Sequence, residues 1–181
     1  MTTFYVPVDA AARSVGADEV AAALAVLHGA CVVRTGSRGM LWCEPLVEVD
    51  TDAGRVGYGP VTPTAARELA DLAGAEPPPT SPLRTAYLGL VEQHPFLARQ
   101  RRLTTARLGV IDPGDLADYE RHGGWAGLRR AFTMTPDAVV AEVTASGLRG
   151  RGGGGPPPRR PRGAGGGAAR RGEEERAPRP R

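Results

Sequence analysis

The sequence predicts an α/β domain at the N-terminus, then a short helical segment, then a tail without regular structure. Three observations lead there. Residues 1–74 alternate β-branched apolar runs with Ala-rich amphipathic stretches. A Pro-rich stretch, GAEPPPTSP at Gly74–Pro82, interrupts the pattern. From Gly150 onward the last 32 residues use only Gly, Arg, Pro, Ala and Glu, a composition that cannot bury enough apolar surface to offset its ordering entropy.

Each element follows from local signals. Thr3–Val8 (TFYVPV) is β-branched and aromatic, a first strand. Ala17–Leu27 is Ala-rich with Asp18 and Glu19 in its first turn, where acidic groups suit the helix dipole, and Val20, Leu24 and Leu27 share one face. Ala30–Arg34 is a short apolar strand. Leu46–Asp50 and Val56–Val61 flank TDAGR and predict a hairpin. Pro63–Leu72 reads as a helix with Thr62 as N-cap and Pro63 at its first position. The order β-α-β-β-β-α fits a thioredoxin-like sandwich over 1–74, with a Pro-rich linker at 75–83.

Residues 84–149 read as a helical lead-in. Ala86–Ala98 has amphipathic character broken at Pro95, and Arg99, Arg101 and Arg102 form a basic cluster expected on a solvated or inter-subunit surface. Asp112 can cap a helix from Pro113 to about His122, stopped by Gly123 and Gly124. Trp125–Phe132 predicts a second helix. Thr135 caps a third over Pro136–Ala145, with Val139, Val140 and Val143 as its apolar face. The group Asp112, Asp115, Asp118 and Glu120 is a helix N-terminal face and not a catalytic carboxylate pair.

Charge is divided along the chain. Of the 23 basic residues, all Arg, nine lie in 150–181 against three Glu, whereas 1–149 carries 14 Arg and 17 acidic groups. The body is mildly acidic and the basic pI comes from the tail. The body carries no nucleic-acid footprint, and the tail lacks the aromatic residues that stack on bases. No apolar run approaches the roughly 20 residues of a membrane span, and no secretory signal is evident, so a cytoplasmic location is expected. Cys31 and Cys43 cannot make a four-ligand metal site. Cys31 reads as a small core residue and Cys43 as a structural or free thiol. His28, His94 and His122 show no metal spacing and read as surface or helix-end residues.

Several motifs then occur in order: Ile111-Asp112-Pro113, Tyr119, Gly123-Gly124-Trp125, Met134-Thr135-Pro136, and Ser146–Gly155 (SGLRGRGGGG). Gly-rich loops let backbone N–H groups approach a phosphate, and an adjacent Arg adds charge. The run resembles the NADH-binding flavoprotein subunits, a family that includes the complex I flavoprotein, the diaphorase of NAD-reducing hydrogenases and the beta subunit of NAD-dependent formate dehydrogenase. The resemblance implies FMN and NAD as cofactors, with Gly150, Arg151, Gly152, Gly153 and Gly155 lining the nucleotide phosphate and the isoalloxazine edge. It implies no catalytic base, nucleophile or metal ligand here. Pro156 stands where the family has Phe, and the Lys, the Trp and the 4Fe–4S ligands that should follow are absent. A frameshift or truncation inside the loop accounts for this, and such a chain is expected to bind no cofactor and to be inactive alone.

The N-terminal half carries a second resemblance. Gly36–Val47 is similar to the second ligand motif of thioredoxin-like 2Fe–2S domains, G-C-x-G-x-C-x-x-x-P, with Ser37 and Leu41 in the two Cys columns and Pro45 near its end. The first ligand pair, expected near 13–17, is also absent. A thiolate cluster needs four ligands, so the domain should keep the fold without the iron. The layout looks most like the formate dehydrogenase beta subunit, whose implied partners are an iron–sulfur gamma-type subunit and a molybdenum or tungsten alpha-type subunit. A reading from another class is a thioredoxin-like interaction module whose Arg/Gly tail binds RNA or an acidic partner.

Overall fold

The computed structural model describes residues 1–148. They fall into two compact units, one spanning Met1–Trp125 and one beginning at Ala126.

In the first unit five strands form one mixed sheet in the order β2-β1-β3-β4-β5. β1 (Thr2–Pro7) runs parallel to β2 (Ala30–Thr35), joined through α1 (Ala10–Ser14) and α2 (Ala17–Ala25). β3 (Val47–Thr51) is antiparallel to β1 and forms a hairpin with β4 (Gly54–Tyr58). A short 3-10 turn at Pro63–Ala65 leads into α3 (Ala66–Leu72). A βαβ half beside a ββα half in this strand order is the thioredoxin-type arrangement, and the α/β class expected from the sequence is the one found.

Period-two alternation sorts the sheet's two faces. Phe4, Val6, Val47, Val49, Val56 and Tyr58 point to one side and pack against Val20, Leu24 and Leu69 of the helices. Tyr5, Glu48, Asp50 and Arg55 lie on the other side, where Tyr5 pairs with Glu48 and Asp50 with Arg55 across the strands. A second, smaller core joins Met40, Cys43 and Leu46 of the β2–β3 loop to Val91 and Leu97, which follow the sheet's last strand.

Several elements differ from the sequence expectation. Tyr87–Leu90 is a strand, β5, antiparallel to β4, and not part of a helical lead-in. The sheet therefore draws its last strand from beyond the boundary expected at residue 74. The Pro-rich stretch joins two parts of one unit and is held by the Tyr58 hydroxyl, which donates to the Ala75 carbonyl at 2.5 Å. Thr62 does not cap α3; its hydroxyl pairs with that of Thr64 at 2.9 Å. Asp112 does not cap a helix from Pro113. That helix is α5 (Leu116–Arg121), capped by Asp115, while the Asp112 carboxylate closes a turn onto the Gly114 N–H at 2.7 Å. Beyond β5, a four-residue helix, α4 (Pro95–Ala98), is capped by His94, whose Nδ1 accepts the Phe96 N–H at 3.3 Å.

The second unit holds α6 (Ala126–Ala131) and α7 (Pro136–Ala145). Thr135 caps α7 as expected, accepting the Ala138 N–H at 3.3 Å, and Arg130 pairs with Glu142 at 3.1 Å. No helix among the described residues is long and apolar enough to cross a membrane.

Candidate functional site

The loop between β2 and β3, Gly36–Leu46, is where the sequence places the remains of an iron–sulfur ligand motif. Its polar side chains satisfy one another. Ser37, in the first ligand column, donates from Oγ to Glu44 at 2.8 Å and accepts the Gly39 N–H at 3.0 Å. Glu44 in turn accepts the Leu46 N–H at 3.0 Å. Burial pushes the Glu44 carboxyl above the usual carboxylate range, opposed by those two hydrogen bonds. Leu41, in the second column, is exposed. Cys43 is a buried free thiol raised by burial, with the Glu44 charge adding to the effect. Cys31 is half-buried on the edge strand and not fully in the core. These residues do not fit an iron–sulfur cluster, and among those described no group of three His, Cys, Asp or Glu side chains could hold a metal ion.

Arg38 occupies the middle of the loop. Its side chain is 3% exposed and forms a bidentate pair with Glu48, 4% exposed, through Nε and Nη2, both at 2.8 Å. Nη1 donates to Glu92 at 2.6 Å. Burial opposes the guanidinium charge; the two carboxylates outweigh it and hold the charged form. Sequence reasoning missed this pair. A strand register it could not supply brings Glu48 under the loop.

A strap from the segment ahead of the IDP motif closes over this network. Arg55 stacks on the Tyr5 ring, 3.3 Å from its centroid, and donates to the carbonyls of Gly109 and Val110 at 3.1 and 2.8 Å. Gly109 has φ +76, and a Cβ there would run into the Arg38 side chain. Arg102 donates to the Leu108 carbonyl at 3.1 Å, whereas Arg99 and Arg101 are exposed.

The structure brings together part of the flavoprotein-like motif run. Tyr119 and Trp125 meet edge to face at 5.2 Å, and a Cβ on Gly124 would strike the Tyr119 ring and carbonyl. Arg107 lies 4.8 Å over the Tyr119 ring and donates to the His122 carbonyl. Asp118 accepts the Asp112 N–H at 2.8 Å and pairs with Arg121 and His122. Burial works against its charge, but these partners hold its carboxyl below the usual range. Asp112, Asp115 and Asp118 thus organise a turn and the start of α5, whereas Glu120 lies in its last turn and not on the N-terminal face expected from the sequence. His28 is exposed. The expected nucleotide-loop residues Gly150, Arg151, Gly152, Gly153 and Gly155, and the tail at 156–181, lie outside the described residues.

Comparison with known proteins gives short matches. No family model matches the chain. A stretch of 54 residues, 30% of this chain and 11% of the relative, is 49% identical to the HndC protein of the NADP-reducing hydrogenase of Solidesulfovibrio fructosivorans. A stretch of 34 residues, 19% of this chain and 8% of the relative, is 59% identical to a subunit of the NADH-quinone oxidoreductase of Streptomyces coelicolor. The chain covers only that small share of these curated relatives. The matches support the NADH-binding flavoprotein family to which the motif run points. Among solved structures, thioredoxin-like 2Fe–2S ferredoxin from Aquifex aeolicus aligns with TM-score 0.40 and 17% identity over 52% of this chain and 96% of that one. A second structure of it gives 0.35 and 20% over 40% and 84%. The strand order, and not these low scores, carries the fold assignment.

Proposed function

We propose that this chain is the N-terminal portion of an electron-transfer flavoprotein subunit of the NAD-dependent formate dehydrogenase beta type, carrying a thioredoxin-like domain that holds no cluster. The observation that carries the reading is the ordered motif run from Ile111 to Gly153, in which Tyr119, Gly124 and Trp125 pack on one another. The two curated relatives favour a second reading within the same family, a hydrogenase or quinone-oxidoreductase flavoprotein. In an intact subunit FMN supplies the exchange between two-electron transfer with NAD(H) and one-electron transfer to iron–sulfur centres. The partners are then the other subunits of a multi-subunit dehydrogenase, an iron–sulfur gamma-type and a molybdenum or tungsten alpha-type.

The test compares two proteins by FMN fluorescence. The first is the chain as it stands. A phosphate cradle needs supporting structure on both sides, and ordering a free segment costs about 1–2 kcal/mol per residue. No saturable quenching at micromolar FMN is expected. The second carries, in place of residues 156–181, the continuation encoded in a shifted frame of the same DNA. It should restore the Phe, Lys and Trp and quench FMN, with the effect lost in Arg151→Ala. A shifted frame without that continuation, or tight FMN binding by the unaltered chain, would contradict the reading.

A further inference from the structure

The β2–β3 loop has a second feature that its hydrogen-bond network does not use. Trp42, 59% exposed, and Phe96, 37% exposed, come from segments far apart in sequence and meet edge to face at 4.9 Å. Leu41, beside Trp42, is 61% exposed. Single exposed apolar residues are ordinary, but a joined aromatic pair at the surface is not explained by packing. The pair is held firmly from beneath. Cys43 and Leu97, the next residues after Trp42 and Phe96, are buried in one small core with Met40, Leu46 and Val91. The Phe96 backbone is fixed at both ends, its N–H by His94 and its carbonyl by the Gln100 amide at 2.9 Å. Binding to such a platform costs little side-chain ordering.

The rim is basic. Arg99 ends α4 three residues after Phe96, and Arg101 follows; both are exposed, and their side chains make no ion pair or hydrogen bond among the described residues. Glu92, in the turn before α4, is engaged by Arg38. We infer that Leu41, Trp42 and Phe96, with Arg99 and Arg101, form the centre of a protein-docking surface whose partner presents an apolar cluster flanked by carboxylates. Trp and Arg are the residues that most often dominate such interfaces. A second copy of this chain is a poor occupant. A two-fold contact through this patch would gather Arg99 and Arg101 of both copies, four like charges, in one interface. A membrane is a poor occupant too, since α4 has four residues and no amphipathic face to lay in an interface. The inference does not depend on the flavoprotein reading.

The test uses the full chain and three fluorescent peptides: a Leu-Phe-Leu centre flanked by Glu, the same centre flanked by Lys, and a Ser centre flanked by Glu. The last measures what the Arg-rich tail attracts by charge alone. Peptide anisotropy should saturate most tightly with the Glu-flanked apolar peptide. That affinity should fall about tenfold in Trp42→Ala and again in the Arg99→Glu, Arg101→Glu double variant, a loss of the size expected for interface anchors. Far-UV circular dichroism and the thermal midpoint should match the parent in both. Equal binding of the Lys-flanked or Ser-centred peptide, or unchanged affinity in either variant, would overturn the inference. Self-association of the chain, or sedimentation with anionic phosphatidylserine vesicles, that Trp42→Ala abolishes would do so as well.

Discussion

Arg38→Ala is expected to destabilise the first unit by about 3–5 kcal/mol, the loss that follows when one member of a buried ion pair is removed. Glu48, 4% exposed beside Arg38, would lose its bidentate partner. Arg55, whose Nη1 lies 3.7 Å from Glu48, offers partial compensation and places the loss toward the lower end of that range. Glu92 is 67% exposed and loses little. Replacing both partners, as in Arg38→Met with Glu48→Leu, should recover most of the stability, because apolar groups of similar volume fill such a site without an unpaired charge. Urea unfolding followed by circular dichroism measures both. A loss below about 1 kcal/mol in the single variant, the value of an exposed pair, would mean that the buried pair does not hold the loop.

Gly109→Ala is expected to produce the next largest loss, about 2–4 kcal/mol, from two causes that a double-mutant cycle separates. One is local: φ +76 suits glycine, and another residue there costs about 1–3 kcal/mol. The other is transmitted, since the new methyl displaces the Arg38 side chain from Glu48. In an Arg38→Ala background only the local cost should remain. Equal costs in the two backgrounds would show that the strap and the ion pair are independent.

What the sequence makes legible, and what it does not, follows from the range of each signal. Thr135 and Pro136 predict the start of α7 correctly because a cap is chosen within one turn. The hairpin of β3 and β4 is legible for the same reason: its turn and alternation are local. The start of α5 is misplaced from sequence because Asp112 and Asp115 offer the same capping chemistry three residues apart. The choice falls to Asp115 once Asp118 accepts the Asp112 N–H. β5 is four residues with Gly89 inside it, too short for alternation to register, and is defined by its partner β4. The Ser37 and Leu41 substitutions are readable as a loss of ligands. What replaces the ligands is not. Arg38 with Glu48 and Glu92, and Trp42 with Phe96, are long-range pairs set by sheet register and by the return of the chain at α4.

The Ser37–Glu44 and Arg38–Glu48 contacts close the β2–β3 loop of this thioredoxin-like domain, and the domain is expected to carry no iron. Anaerobic reconstitution of the purified chain with ferrous iron and sulfide, followed by desalting, iron and acid-labile sulfide analysis and a visible spectrum, tests it most directly. Neither retained iron nor a sulfide-to-iron absorption band is expected, with the unfolding midpoint unchanged. Stoichiometric iron with acid-labile sulfide, retained through desalting and lost in Cys43→Ser, would contradict it.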